Sequence, residues 1–428
     1  MKFTVYEQSV VRLGPTTDQD RQTISSFHLD ELSRLSEAIG VRFLSPSYNS
    51  VRFEQFVGVL RVGGLQLEIL PKLDGASTAA AVRASLVGML GETESLQLIG
   101  TGTSQLGEES GPFIKALARI YCQELLAVVR RGLPQEYVAH HEILPYVRGK
   151  IDWVAQARLA VQQRAECSCR FDDRSIDTPL NRTLKQALIV AHSFLRDQRW
   201  FSLVFELRHA MDGVSDVATT TWDGTLDRLN RHLLPLANLA RLLLRGRNTD
   251  LTGSRAADEQ HYALLWDMNK LFEEYISVVA ARVLGADGLR LEPQSRTHLA
   301  AEMSTKRPAF PIRPDLVGFL RREPVFVADT KWKRLEPGDD TFGVSNSDAF
   351  QVAAYARRYD APNAILIYPH HPRLGRSGVL GEYLLRDNAA PAVRLSIATV
   401  DLTDLSTVGW QLRALCAMGK GQASEQVG

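Results

Sequence analysis

The sequence predicts an α/β multidomain chain. A β-rich N-terminal domain is expected over 1–75, a mainly helical linking region over 76–257, and a mixed-sheet domain over 258–415. Three observations carry this. The chain has 428 residues, too many for one ordinary hydrophobic core. Its patterning changes from strand-like to helical near residue 76, and to a mixture of both from Asp258. Within that last part, the apolar run Asn363–Tyr368 is bounded by Pro362 and Pro369, as a buried strand requires. The order of elements there is α-β-β-β-α-β, a mixed sheet with helices packed on it. The segment 416–428 is small and polar, and is expected to be a disordered tail.

In chain order, Val51–Val62 and Leu65–Leu70 read as strands flanking Gly63-Gly64, a two-residue loop suited to a hairpin. His28–Gly40 reads as a short helix. Ala79–Leu90 and Pro112–Arg131 carry apolar residues at helical spacing, and Gly132-Leu133-Pro134 stops the second. Tyr137–Ile151 reads as extended, so the adjacent His140 and His141 point apart. Asp177 or Thr178 caps a helix whose first residue is Pro179. Leu226–Leu244 is expected to be amphipathic, with Arg245 and Arg247 as a basic end. Glu259–Leu284 reads as one long helix, with a stripe through Leu264, Leu265, Met268, Leu271, Phe272 and Tyr275. Leu289–Gln294 is a strand, Ile312–Arg334 two antiparallel strands, and Asp348–Arg358 a helix. Glu382–Leu385 and Val393–Asp401 are expected to add edge strands.

Composition narrows the function. A net charge of +1 argues for a local rather than a global nucleic-acid surface. No apolar run approaches the ~18 residues of a membrane span, and the first residues lack a leader's apolar core. Cys122, Cys167, Cys169 and Cys416 form no paired zinc pattern and imply no disulfide frame. A reduced, cytoplasmic protein is expected.

The chemistry concentrates in Ile312–Arg334. Asp315 follows Pro314 on the first strand, and Asp329, Thr330 and Lys331 end the second. Period-two alternation puts Val325, Val327, Asp329 and Lys331 on one face, and Phe326, Ala328, Thr330 and Trp332 on the other. Two close carboxylates repel unless a cation lies between them, and oxygen ligands suit Mg²⁺. Lys331 would then steer water and offset charge on a phosphate. This is the PD-(D/E)xK nuclease pattern, with Asp329 in its middle slot. The plainer alternative is an exposed hairpin with surface ion pairs, worth ~0–1 kcal/mol each. Gln351 and Tyr355, four apart, share a helix face that can orient the lysine or a DNA phosphate. Glu273 on the long helix can reach the sheet end as an added ligand, directly or through water. Arg321-Arg322, Lys331–Arg334 and Arg357-Arg358 are candidate DNA contacts.

Read together, LEILPKL (67–73), VRGKID (147–152), DTPLNRTLKQAL (177–188), WDMNKLFEEY (266–275), RPDLV, VADTKWK and DAFQVAAYA resemble McrC, the nuclease subunit of McrBC-type 5-methylcytosine (modification-dependent) restriction systems. The resemblance implies Asp315, Asp329 and Lys331 as the catalytic set, with Gln351 and Tyr355 matching the QxxxY variant of the nuclease superfamily. It favours Glu273 over Glu274 as the helix acid. Metal ligands would be Asp315, Asp329, the Thr330 carbonyl and Glu273, holding Mg²⁺, with Mn²⁺ as a substitute. It further implies a subunit of an endonuclease acting on double-stranded DNA, docked through its N-terminal and helical parts on an McrB-like AAA+ GTPase, a hexameric ring. The chain has no GxxxxGK[ST] loop, so GTP is expected on the partner. Two other readings stand beside this one. One is a catalytically inactive adaptor that activates the partner NTPase; the other is a stand-alone DNA repair nuclease.

Overall fold

The computed structural model describes residues 2–14, 23–76, 78–93, 112–162, 165–195, 197–216, 222, 225–226, 228, 230–247, 261–385 and 392–417. The expected tail therefore lies outside the described residues beyond 417. The chain forms two compact units, Met1–Phe113 with Gly246–Gly428, and Ile114–Arg245.

The first unit holds the sheets that matter for the site. Its largest sheet has six strands in the order Leu289–Pro293, Leu316–Leu320, Glu323–Thr330, Asn363–Pro369, Val393–Val400, Gly378–Leu385. Glu323–Thr330, Asn363–Pro369 and Val393–Val400 run parallel, and the outer pairings are antiparallel. Helix Asn346–Tyr359 connects the first two parallel strands, and helix Met268–Ala286 precedes the sheet. The expected helix–strand order is present, with a two-stranded ribbon, Thr297–Ala301 and Pro308–Ile312, inserted before Pro314.

A second sheet joins distant parts of the chain: Lys2–Tyr6, Leu65–Leu70, Phe56–Val62 and Tyr262–Asp267. Gly63 and Gly64 both take positive φ (49° and 76°), which closes the hairpin between Val62 and Leu65. Gly58 lies so close to the last strand that a Cβ there would sit 1.9 Å from the Leu264 carbonyl oxygen. A smaller sheet (Thr23–Ile24, Val10–Leu13, Ser50–Phe53, Leu44–Pro46) and helix Ser26–Ala38 share a core with it, including Leu32, Leu35, Phe43, Phe53 and Leu67.

The second unit carries helices Trp153–Val161, Pro179–Phe194, Gln198–Ala210 and Leu234–Arg245, most of helix Phe113–Arg131, and a three-stranded sheet of Glu136–Leu144, Cys167–Ser175 and Lys150–Ile151. His140 stacks on Phe171 at 5.4 Å between ring centroids, while His141 is exposed.

Five expected elements need correction. Tyr262–Asp267 is a strand, and the helix begins only at Met268. Its Tyr262, Leu264 and Trp266 are buried in alternation, and Asp267 caps the helix by accepting from the Asn269 N–H. The amphipathic helix ends at Arg245, one residue past the expected Leu244, and starts at Leu234, after a short 3₁₀ turn at Arg231–Leu233. The strand read as Val51–Val62 is two strands, Ser50–Phe53 and Phe56–Val62, in different sheets. Gly378–Leu385 pairs beyond the expected Glu382–Leu385, and Val393–Val400, expected at an edge, is an inner strand paired on both sides.

Candidate active site

The site lies where the Leu316–Leu320 and Glu323–Thr330 strands open. Their register pairs Leu316 with Ala328, which sets Asp315 across from Asp329. A register shift beyond Gly318 leaves Val325 as the extra residue of a bulge, which interrupts the period-two alternation there, and its carbonyl accepts from the Asn363 side chain at 2.9 Å. Gly318 has no side chain because the Phe326 ring fills that space. Val317, Val327, Tyr355 and Ala361 pack as one cluster under the Asn346–Tyr359 helix.

Asp329 is 2 % exposed, and Thr330 and Tyr355 are also buried. Asp315 Oδ2 accepts from the Thr330 N–H at 2.6 Å and from Thr330 Oγ1 at 2.7 Å. Lys331 Nζ lies 2.6 Å from Asp329 Oδ2, an ion pair without the alignment of a good hydrogen bond. The same ammonium donates to Gln351 Oε1 at 3.1 Å, and Gln351 Nε2 donates to the Tyr355 hydroxyl at 2.7 Å. The structure thus joins Asp329, Lys331, Gln351 and Tyr355 in one polar chain. Glu273 is half-buried and Glu274 exposed, and Glu273 Oε1 accepts from Gln294 Nε2 at 2.8 Å.

The electrostatics follow from burial and crowding. Burial, then repulsion from Asp315, pushes Asp329 up to about 6 against the pull of Lys331. The same two causes, in the same order, raise Glu273 above the ordinary carboxylate range, while Gln294 and Arg313 oppose them. Burial works against the charge on Lys331, but Asp329, Asp315 and Asp348 outweigh it and hold its pKa above the usual lysine value. Lys331 is therefore a permanent cation near neutral pH, suited to donating and to holding charge rather than to taking a proton.

Several residues here were not read from the sequence. Asp348 is buried, accepts from Lys333 Nζ at 2.8 Å, and sits in the first turn of its helix, where Ser345 caps its N–H. The signal was a Ser-x-x-Asp pattern ahead of Gln351. Gln294, Arg313 and the Thr330 side chain carried no such signal. The Lys331–Arg334 run is also not a free basic stretch. Lys331, Lys333 and Arg334 each face an acid (Asp329, Asp348 and Asp74), and Trp332 is buried. Arg321 and Arg322 form an exposed hairpin turn, with Arg321 at φ +61°.

No three His, Cys, Asp or Glu side chains among the described residues converge as a ready metal cage. The donor set nonetheless fits a hard divalent cation of the Mg²⁺ kind, which commonly uses one or two carboxylates and keeps several waters. Asp315 and Asp329 face each other across the strands, and each raises the cost of charge nearby. A cation between them would remove the repulsion that lifts Asp329.

The fold and this polar cluster define a multi-sheet α/β protein built around an Asp–Asp–Lys site at a sheet mouth. A family model described as McrBC 5-methylcytosine restriction system component matches residues 51–369, and the chain belongs to that family. Its fold is similar to a chain in a refined half-complex from a tetradecameric assembly of Thermococcus gammatolerans McrB AAA+ hexamers with bound McrC, at TM-score 0.76 and 18% identity, over 98% of this chain and 100% of that one. A second similar structure is the Thermococcus gammatolerans McrBC complex, at TM-score 0.53 and 22% identity, over 66% of this chain and 88% of that one. No curated protein matches significantly. No helix among the described residues is long and apolar enough to cross a membrane.

Proposed function

We propose that this chain is the McrC-type nuclease subunit of its restriction system. It is a Mg²⁺-dependent endonuclease of the PD-(D/E)xK class that cleaves double-stranded DNA and works with an AAA+ GTPase partner. The observation that carries the reading is the chain from Asp329 through Lys331 and Gln351 to Tyr355, beside an Asp315 clamped by Thr330. Surface ion pairs do not need a half-buried glutamine, itself held by a buried tyrosine, to aim the lysine.

Asp315, Asp329 and the Thr330 carbonyl would hold the metal, with Glu273 supporting it through water or directly. When bound, the ion supplies positive charge to a phosphate and lowers the pKa of a water. The chain's own groups do the rest. Lys331, fixed by Gln351, donates toward a phosphate oxygen as negative charge builds, and orients water for in-line attack. Tyr355 fixes Gln351 through its hydroxyl. Asp348 pairs with Lys333, while Lys331 pairs with Asp329. Thr330 holds one Asp315 oxygen, which limits that carboxylate's rotation.

The partner assignment rests on family membership and on the similar fold of a chain seen with McrB AAA+ hexamers. The test is cleavage of methylated and unmethylated DNA by the chain with its partner, GTP and Mg²⁺. Asp329→Ala and Lys331→Ala should abolish cleavage and leave stimulation of the partner's GTPase in place. Cleavage that survives both changes would refute the site, and would favour an adaptor role if GTPase stimulation is also intact.

A further inference from the structure

The ribbon Thr297–Ala301/Pro308–Ile312 meets a core cluster through Ile312 at its base, while its tip stands in solvent. Every residue from His298 to Pro308 is exposed, including Met303 at 89 %. Phe310 is 70 % exposed, and its φ of +57° is a conformation that a bulky side chain rarely takes. Strain of this kind persists where it is used. The charge is one-sided: Arg296, Lys306, Arg307 and Arg313 against Glu302, whose carboxylate is turned to the Thr305 hydroxyl. Lys306 and Arg307 meet no acid among the described residues, unlike the cations of the 331–334 run. Pro308 and Pro311 remove two N–H groups from one strand, which makes this a poor edge for adding a protein strand.

The base of the ribbon is anchored on the site. Arg358 Nε donates to the His298 carbonyl at 2.6 Å, and the Tyr359 hydroxyl donates to Ser295 Oγ at 2.9 Å. Both donors extend from the helix that carries Gln351 and Tyr355. The second strand runs directly through Arg313 and Pro314 into Asp315. A five-residue strand reaches about 17 Å, and the major groove of DNA admits a two-stranded ribbon.

We propose that this ribbon is a duplex-DNA contact that enters a groove beside the scissile phosphate, with Lys306 and Arg307 on the backbone and Met303 and Phe310 against the bases. This rests on the nuclease reading for what the held DNA undergoes, but binding is measured separately from cleavage. The experiment uses the full-length chain with Asp329→Asn and a fluorescein-labelled double-stranded oligonucleotide, followed by anisotropy between 50 and 200 mM salt. Lys306→Ala with Arg307→Ala should weaken binding at least tenfold at low salt and flatten the slope of log affinity against log salt by about two. Phe310→Gly should weaken binding severalfold with the slope unchanged. Because the ribbon's tip packs on nothing, both variants should melt at the parent temperature. Equal affinity and slope in parent and variants, or no binding by the parent, would overturn the ribbon assignment. If instead the ribbon variants behave as expected but Lys331→Ala cleaves normally with the partner, the nuclease reading falls and the DNA contact stands.

Discussion

At the scale of single residues, the site reads as a lysine aimed by its neighbours. Tyr355 shows how finely this can be tested. Its ring is part of the cluster with Val317, Val327 and Ala361, while its hydroxyl accepts from Gln351. Tyr355→Phe should keep stability within about 1 kcal/mol, the size of one hydrogen bond, yet slow cleavage severalfold. Tyr355→Ala should lose both, at about 3–5 kcal/mol of stability by chemical denaturation. Equal cleavage by the phenylalanine variant would remove the relay from the mechanism. Thr330→Val tests the other side. It deletes the hydroxyl bond to Asp315 and leaves the backbone bond. Support of this kind behind a ligand typically matters by about 10–100-fold in metal affinity or activity. The expected result is a higher Mg²⁺ concentration at half-maximal rate, and an unchanged Mg²⁺ requirement would contradict it. The pairing of Asp329 with Lys331 and of Gln351 with Tyr355 was legible in the sequence, because strand alternation and four-residue helical spacing place each pair on one face, while Asp315 came from the motif and the family resemblance. Gln294 was not legible, because only the fold brings it to Glu273.

At the scale of elements, the phrases that carry the family resemblance acquire physical reasons. LEILPKL is built around Glu68, 1 % exposed. Its carboxylate accepts a bidentate bond from Arg83 and a 2.9 Å bond from the Phe113 N–H at the start of a helix, and Thr4 adds a third donor. DTPLNRTLKQAL is likewise a folding device. Asp177 binds Arg182 and Ser215, and those hydrogen bonds, Arg182's foremost, hold its pKa well below the usual range; Thr178 caps the helix. VRGKID makes a turn in which Gly149 takes φ +70° beside Phe171, and Arg148 covers that ring at 4.0 Å. Glu68→Ala should cost roughly 3–5 kcal/mol, because it strands a guanidinium that is only 14 % exposed and a buried N–H. The urea midpoint checks this, and a loss below 1 kcal/mol would show that Arg83 finds solvent. The misread helix start at 259 has a simple cause. Leu264, Leu265, Met268 and Leu271 fit helical spacing, but Tyr262, Leu264 and Trp266 also fit alternation, and the Asp267 cap was the deciding signal.

At the scale of the whole molecule, what sequence reading could not reach is contact between ends of the chain. The strand Tyr262–Asp267 completes a sheet begun at Lys2, and Glu7 touches Trp332 across 325 residues. Glu7 is 1 % exposed. Its Oε1 accepts from the Lys72 N–H at 3.0 Å and from the Trp332 indole at 2.8 Å, while Oε2 has no hydrogen-bond partner. Trp332 in turn packs on Phe272 at 5.4 Å, so one carboxylate ties the LEILPKL strand end to the neighbours of both Lys331 and Glu273. Burial is the main force on Glu7; it raises the pKa from 4.5 to about 7, against the Lys72 N–H, the indole and the Lys72 charge. The sign is definite. A carboxyl with a raised folded pKa binds its proton more tightly in the native state, so its contribution is full below pH 4.5 and is lost as pH rises through 7. That loss is on the order of 3 kcal/mol. Glu7→Gln keeps the Oε1 acceptor and cannot ionise. The variant should match the parent near pH 5 and exceed it at pH 8, with urea midpoints across that range as the measurement. Parallel curves for parent and variant would mean that Glu7 is solvated or paired in solution, and that the buried link between the N-terminal sheet and the Asp–Lys strand does not form as drawn.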